Sequence, residues 1–147
     1  MTVTLTDTAR QYIALFEDET GATARDCVVL GDDGDDDEEK RVIFVVKPGE
    51  MGQAIGPGGA NVRTVEEELD ADVELVEDAE DPARFVINAL APAEVHHVTI
   101  SENNDTVAYA EVAQQDTGVA IGTNGRNIEA AKLLAARHFD VDDIQLT

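Results

Sequence analysis

The sequence predicts an α+β fold built from one α-β-β-α-α-β unit used twice, with the helices of each unit on one face of a three-stranded sheet. Three observations point there. The stretch Ile55-Gly56-Pro57-Gly58-Gly59-Ala60-Asn61-Val62 recurs as Ile121-Gly122-Thr123-Asn124-Gly125-Arg126-Asn127-Ile128, both reading I-G-x-x-G-x-N-[V/I]. Upstream, Gly52 and Ala54 correspond to Gly118 and Ala120. The predicted elements around each copy follow the same order, the mark of an internal repeat. A chain of 147 residues then divides into halves covering 1–79 and 80–147, each near the lower size limit for an independent hydrophobic core.

Residues 4–18 read as a helix, because Ala9, Tyr12, Ile13 and Phe16 fall on one face at helical spacing. Thr6 suits its cap and Gly21 lies just past its end. The runs at 25–30 and 41–47 are apolar and β-branched, hence strands. The Gly and Asp residues of 31–39 supply the turn between them, an antiparallel hairpin. A calcium loop needs acids two apart leading to a Gly at its sixth place, and the residue five before Gly34 is Val29. Pro48-Gly49 opens a short helix over 50–55, with Pro48 suited to its first turn. A longer helix over 60–70 turns Val62, Val65 and Leu69 inward and Glu66, Glu67 and Glu68 mostly outward. The alternation of 71–77 closes the unit as a strand.

The second half runs in parallel. Asp81-Pro82 starts a helix to about Leu90 with Val86, Ala89 and Leu90 inward, and Pro92 stops it. Strands at 94–101 and 106–112 meet at Glu102-Asn103-Asn104-Asp105. A short helix at 115–121, the second glycine stretch, a helix at 127–139 and a strand at 143–146 complete it.

Composition excludes several classes. No apolar run approaches the roughly 18 residues of a membrane helix, and no basic segment followed by an apolar core opens the chain, so neither a membrane span nor a secretory signal is expected. One cysteine, Cys27, allows no internal disulfide and fits a reducing cytoplasm. It lies in an apolar strand and reads as a buried small hydrophobe. His96 and His97 are adjacent on a strand, so they should face opposite sides and cannot chelate together; His138 is alone on a helix. No pairing of Ser, Cys, His or carboxylates has catalytic spacing. Neither an enzyme nor a bound metal or cofactor is expected. The net charge is −22, with 32 acids against 10 bases. The acids spread over nearly every element rather than forming one tail. That pattern fits adaptation to a cytoplasm at molar salt, where the Debye length is about 3 Å.

Acids nonetheless avoid the glycine stretches. Residues 48–64 hold only Glu50 and residues 117–128 hold none, where the overall frequency would place about six, as if an electronegative ligand comes near. The turn between two helices explains one glycine per stretch. The following helix starts at the loop and aims its free N–H groups and positive dipole end there, and a residue without a side chain lets a phosphate approach. Arg63 and Arg126 sit just beyond. A Walker loop would need Gly-Lys-Ser/Thr, which neither stretch has, and a dinucleotide fingerprint would need a third Gly where Asn61 stands, after a strand rather than a helix.

Helix, I-G-x-x-G, helix resembles the KH RNA-binding domains, whose GXXG loop clamps about four nucleotides. With a helix and strand ahead of the core, the order is similar to the type II KH topology. Two such domains in tandem resemble the archaeal NusA-like transcription termination/antitermination factors. The resemblance implies a protein that binds single-stranded nascent RNA, with an effect on elongation or termination; RNA polymerase is a candidate partner that the resemblance alone does not carry over, and a cytoplasmic monomer is expected. It implies RNA contact from Ile55, Gly56, Pro57, Gly58, Gly59, Asn61 and Arg63, and from Ile121, Gly122, Thr123, Asn124, Gly125, Arg126 and Asn127. An aliphatic groove, with Ile55, Val62, Ile121 and Ile128 as candidates, would take the bases; for each of these residues plain core packing is the competing reading. With 4% aromatic residues and no Trp, a stacking platform is disfavoured. Two other readings stand beside this one: a ribosome-associated or RNA-processing KH protein, and a protein-interaction module that has lost RNA.

Overall fold

The computed structural model describes residues 4–31 and 40–147. It divides into two compact units, Thr4–Asp78 and Ala79–Thr147. The first contains helix α1 (Asp7–Thr20), strands β1 (Ala24–Leu30) and β2 (Arg41–Val46), helices α2 (Met51–Ile55) and α3 (Ala60–Leu69), and strand β3 (Asp72–Glu77). The second contains α4 (Pro82–Leu90), β4 (Val95–Glu102), β5 (Thr106–Val112), α5 (Thr117–Ile121), α6 (Arg126–Phe139) and β6 (Asp143–Leu146). The predicted order α-β-β-α-α-β is found in both.

Each sheet has its second strand in the middle. β1 pairs with β2 antiparallel, so the predicted hairpin forms, although most of its acidic turn, 32–39, lies outside the described residues. β3 pairs with β2 in parallel, from Arg41 opposite Asp72 to Val46 opposite Glu77. The second unit repeats this with β4 antiparallel and β6 parallel to β5. A parallel neighbour requires a crossover, and the crossover is the helix–loop–helix segment that carries the glycine motif.

Local chemistry sets the boundaries. α1 starts one residue after Thr6, whose hydroxyl accepts from the Ala9 N–H. It runs two residues past the expected end. There the Thr20 hydroxyl donates to the Phe16 carbonyl, and Gly21 takes the left-handed cap at φ 75°. Pro48 is not in the first turn of α2, as the sequence suggested. It lies in a preceding turn with Gly49 at φ 88°, and Glu50 is the N-cap. In the second unit a single 3₁₀ turn, Gln114–Asp116, precedes α5. Pro82 stands in the first turn of α4, where its missing N–H costs nothing, and Asp81 caps the Arg84 N–H.

Ala9, Phe16, Cys27, Val42, Phe44, Val46, Ala54 and Val65 form the first core. Phe16 stacks on Phe44 with ring centroids 4.4 Å apart. Val65 is buried, and Val62 and Leu69 are half-buried. In the second unit Phe85, Val86, Ala89, Leu90, Ala131, Leu134 and Ala135 are buried. Phe85, which the sequence reading passed over, meets the rings of Phe139 and His138 at 5.2 and 5.4 Å. Among the described residues no helix is long and apolar enough to cross a membrane.

Both first strands carry a β-bulge at the same place, between Ala24 and Asp26 and between Val95 and His97. The extra residue breaks the two-residue alternation. His96 and His97 are therefore both exposed rather than on opposite faces. Asp26 and Cys27 are both buried for the same reason.

Candidate nucleic-acid interface

The two glycine stretches share one backbone geometry. Gly56 and Gly122 end the short helices at φ 76°, ψ 169° and φ 79°, ψ 169°. Gly58 and Asn124 sit left-handed at φ 61° and φ 56°. Gly59 and Gly125 are the N-caps of α3 and α6 at φ 80° and φ 77°. Glycine is thus required at both ends of each loop rather than once per turn. The first glycine has a second reason. A Cβ on Gly56 would stand 2.6 Å from Asn61 Cγ, and one on Gly122 would stand 2.8 Å from Asn127 Cβ and N.

That crowding reflects what the asparagines do. Asn61 Nδ2 donates to the Gln53 carbonyl at 2.9 Å. Asn127 Nδ2 donates to the equivalent Val119 carbonyl and to the Leu90 carbonyl, both at 3.3 Å. Each amide ties the helix after the loop to the helix before it. The Asn of I-G-x-x-G-x-N therefore holds the two helices at their bend.

The loops also spend backbone donors on themselves. The Gly56, Gly59 and Ala60 N–H groups donate to the Gly52, Gly56 and Pro57 carbonyls. Gly122, Gly125 and Arg126 repeat the pattern. Neither α3 nor α6 has a side-chain cap at its start. What faces outward is the uncapped first turn of each helix with its positive dipole end.

Pro57, Gly58, Thr123 and Asn124 are exposed, as are Arg63 and Arg126; Gly56, Gly59, Gly122 and Gly125 are half-buried. Arg63 reaches back over its loop, with Nη1 3.9 Å from where a Cβ on Gly59 would stand. In the second unit Glu129 holds the corresponding place beside Gly125. Ile55 and Ile121 are not core, since they are 39% and 40% exposed; Ile128 is buried at 9%. Val62 is half-buried. Sequence reading missed Val119, which is 44% exposed on α5. A five-residue helix has too little periodicity to show which side faces out.

The acids at the rim of the stretches are tied down. Glu50 precedes α2, and its Oε1 accepts the Thr23 N–H at 2.6 Å. Asp116 precedes α5, and its Oδ2 accepts the Glu94 N–H at 2.8 Å. The Thr23 backbone hydrogen bond, aided by Lys47 and Arg25 and only partly opposed by desolvation, holds the Glu50 carboxyl below its ordinary value.

Two units of this topology, each bending two helices around a GXXG loop, define a tandem KH-domain protein of type II. Comparison with known families agrees: residues 10–88 match the KH domain, and residues 82–147 match the NusA-like second KH domain. The "Probable transcription termination protein NusA" of Halobacterium salinarum is 60% identical over 147 residues, 100% of either chain. The protein of that name from Halococcus morrhuae is 61% identical over 146 residues, 99% of either chain. A crystal structure of APE1850 superposes with a TM-score of 0.82 at 33% identity, covering 97% of this chain and 100% of that one. The chain belongs to the NusA-like transcription termination proteins, and these two relatives come from halophilic archaea.

Proposed function

We propose that the protein binds single-stranded RNA at both GXXG loops and acts on the nascent transcript as a termination and elongation factor. One observation carries the reading. Two loops of the same geometry each present an uncapped helix start, and residues 48–64 and 117–128 hold a single acid, the hydrogen-bonded Glu50, in a chain of net charge −22; Glu129, in the first turn of α6, lies just beyond the second stretch. Phosphates sit against the first turns of α3 and α6, where aligned N–H groups favour an anion. Arg63 and Arg126 supply charge-assisted contacts at the loop mouths. Ile55 and Ile121, exposed beside the loops, give the bases an aliphatic surface. Asn61 and Asn127 serve indirectly, by fixing the bend. Membership of the NusA-like family supplies the transcriptional context.

The test places one acid in each loop, Pro57→Asp with Thr123→Asp. Both positions are exposed and neither needs a left-handed backbone, so the fold is spared. Binding of a labelled RNA strand in molar KCl should weaken by at least about tenfold, roughly 1.4 kcal/mol. Unchanged affinity with an unchanged circular dichroism spectrum would refute the reading.

A further inference from the structure

The two loops differ at one residue that carries covalent chemistry. Where the first has Gly58-Gly59, the second has Asn124-Gly125. The chain has six asparagines, and only Asn124 is followed by glycine. Such a pair is open to intramolecular attack, because a residue without a side chain brings its nitrogen to the asparagine unhindered and turns its backbone freely. Asn124 is exposed, so water reaches its amide. The closed loop guards the pair. At ψ 26° the Gly125 nitrogen is turned away from the Asn124 side chain, and its N–H donates to the Gly122 carbonyl at 3.1 Å. That hydrogen bond must open and the peptide must turn before the two groups meet.

We propose that Asn124 is a deamidation site of the RNA-free protein and that the product silences the second loop. Once the loop opens, the Gly125 nitrogen loses its proton to solvent base and attacks Asn124 Cγ. The N–Cγ bond forms, the Cγ–Nδ2 bond breaks, and the amide nitrogen leaves as ammonia with a proton drawn from water. A second water opens the cyclic imide at either carbonyl, giving aspartate or isoaspartate, with no oxidation or reduction. Residues 117–128 hold no acid, so the new carboxylate is the first in that stretch. It stands ahead of the uncapped start of α6, where it repels a phosphate and takes its place at the dipole end. The aspartate form keeps the fold, since Asp70 and Asp140 already hold a left-handed backbone at φ 50° and φ 56°. The isoaspartate form adds a carbon to the main chain and breaks the spacing from Gly122 to Gly125. The first loop, with glycine at that place, is immune. RNA seated on the loop favours its closed form, and free RNA at about ten times Kd lowers the opened population about tenfold. The consequence for RNA rests on the reading above; the covalent step does not.

The full chain is incubated in molar KCl at mildly alkaline pH, with and without saturating oligouridine of about 12 nucleotides, room for two four-nucleotide sites and a connection. Peptide mass spectrometry reads the exchange of amide for carboxyl at each asparagine. Circular dichroism reads the fold, and titration with labelled oligouridine reads affinity. Modification should concentrate at Asn124, run about tenfold slower with RNA present, and lower affinity by about fivefold or more. Asn124→Asp should reproduce the loss without incubation and with an unchanged spectrum. Asn124→Gly, which installs the residue of the first loop, should hold its own starting affinity through the same incubation. An unmodified Asn124 overturns the proposal, as does a rate no greater than at Asn103 and Asn104, which are exposed in the β4–β5 turn. An equal rate with and without bound RNA overturns it too. If Asn124→Asp weakens binding while the wild-type loop stays unmodified, only this proposal falls. If Asn124 deamidates and neither the product nor Asn124→Asp changes affinity, the reading of the second loop as an RNA site falls, and the silencing with it.

Discussion

At the scale of single residues, the motif I-G-x-x-G-x-N separates into parts that serve the fold and parts left for a ligand. The glycines satisfy a left-handed backbone and, at Gly56 and Gly122, the packing of an asparagine. The asparagines fasten one helix to the other. Glu50 belongs to the same set, because it anchors the start of α2 to the entry of β1 through Thr23. Its pH behaviour follows from the sign of its shift. A carboxyl held below its ordinary value of 4.5 in the folded chain contributes stability that is complete above that value and is lost as pH falls through the lower folded value. Glu50→Ala should therefore lower the melting temperature near neutral pH and make the acid limb of the stability curve shallower. Thermal melts at a series of pH values in constant KCl measure this. A variant whose melting temperature falls in parallel with wild type through the acid range would show that the carboxylate does not contribute through its charge.

At the scale of elements, the short helices α2 and α5 pose a question that the fold leaves open. Each carries a glycine at its second position, Gly52 and Gly118. Both are exposed, and a Cβ added there would meet nothing within 4 Å. Glycine in a helix interior costs about 0.5–1 kcal/mol against alanine. Gly118→Ala should accordingly raise the stability of the chain by about that amount in chemical denaturation; a destabilised variant would reveal a constraint absent from the contacts seen. Element order and most boundaries were legible in the sequence, because α1, α3, α4 and α6 are long enough to show a buried stripe and the strands are β-branched. What was not legible was short or irregular. The bulges before Asp26 and His97 left no compositional mark, and they reversed the reading of His96 and His97. The five-residue helices concealed the exposure of Val119, Ile121 and Ile55. In the candidate site the sequence located both loops, but the asparagine amides, and the placing of Arg63 beside Gly59 and of Glu129 beside Gly125, depend on side-chain positions that spacing alone does not set.

At the scale of the whole molecule, the charge is unevenly shared. Residues 1–78 hold 21 acids and 6 bases, and residues 79–147 hold 11 and 4. The described ion pairs offset little of this: Arg10–Asp7, Arg25–Asp78, Arg41–Glu74 and Lys132–Asp143 engage four of the bases. Most are at least partly exposed, where a pair contributes about 0–1 kcal/mol. Self-repulsion of like charge destabilises a compact state and grows roughly with the square of the net charge. With net charges of −15 and −7, for units of similar size it is therefore roughly four to five times larger in the first. Salt screens it, with a Debye length of about 10 Å at 0.1 M and about 3 Å at 1 M. Lowering KCl should thus release the first unit before the second, even though its core contains the stacked Phe16–Phe44 pair. Hydrogen exchange followed by mass spectrometry along a descending KCl series reads this directly. Backbone amides of β2 and α3 should lose protection at a higher KCl concentration than those of β5 and α6. Simultaneous loss in both units would mean that they unfold as one cooperative body, and earlier loss in the second would mean that its alanine-rich core, rather than charge, sets the limit.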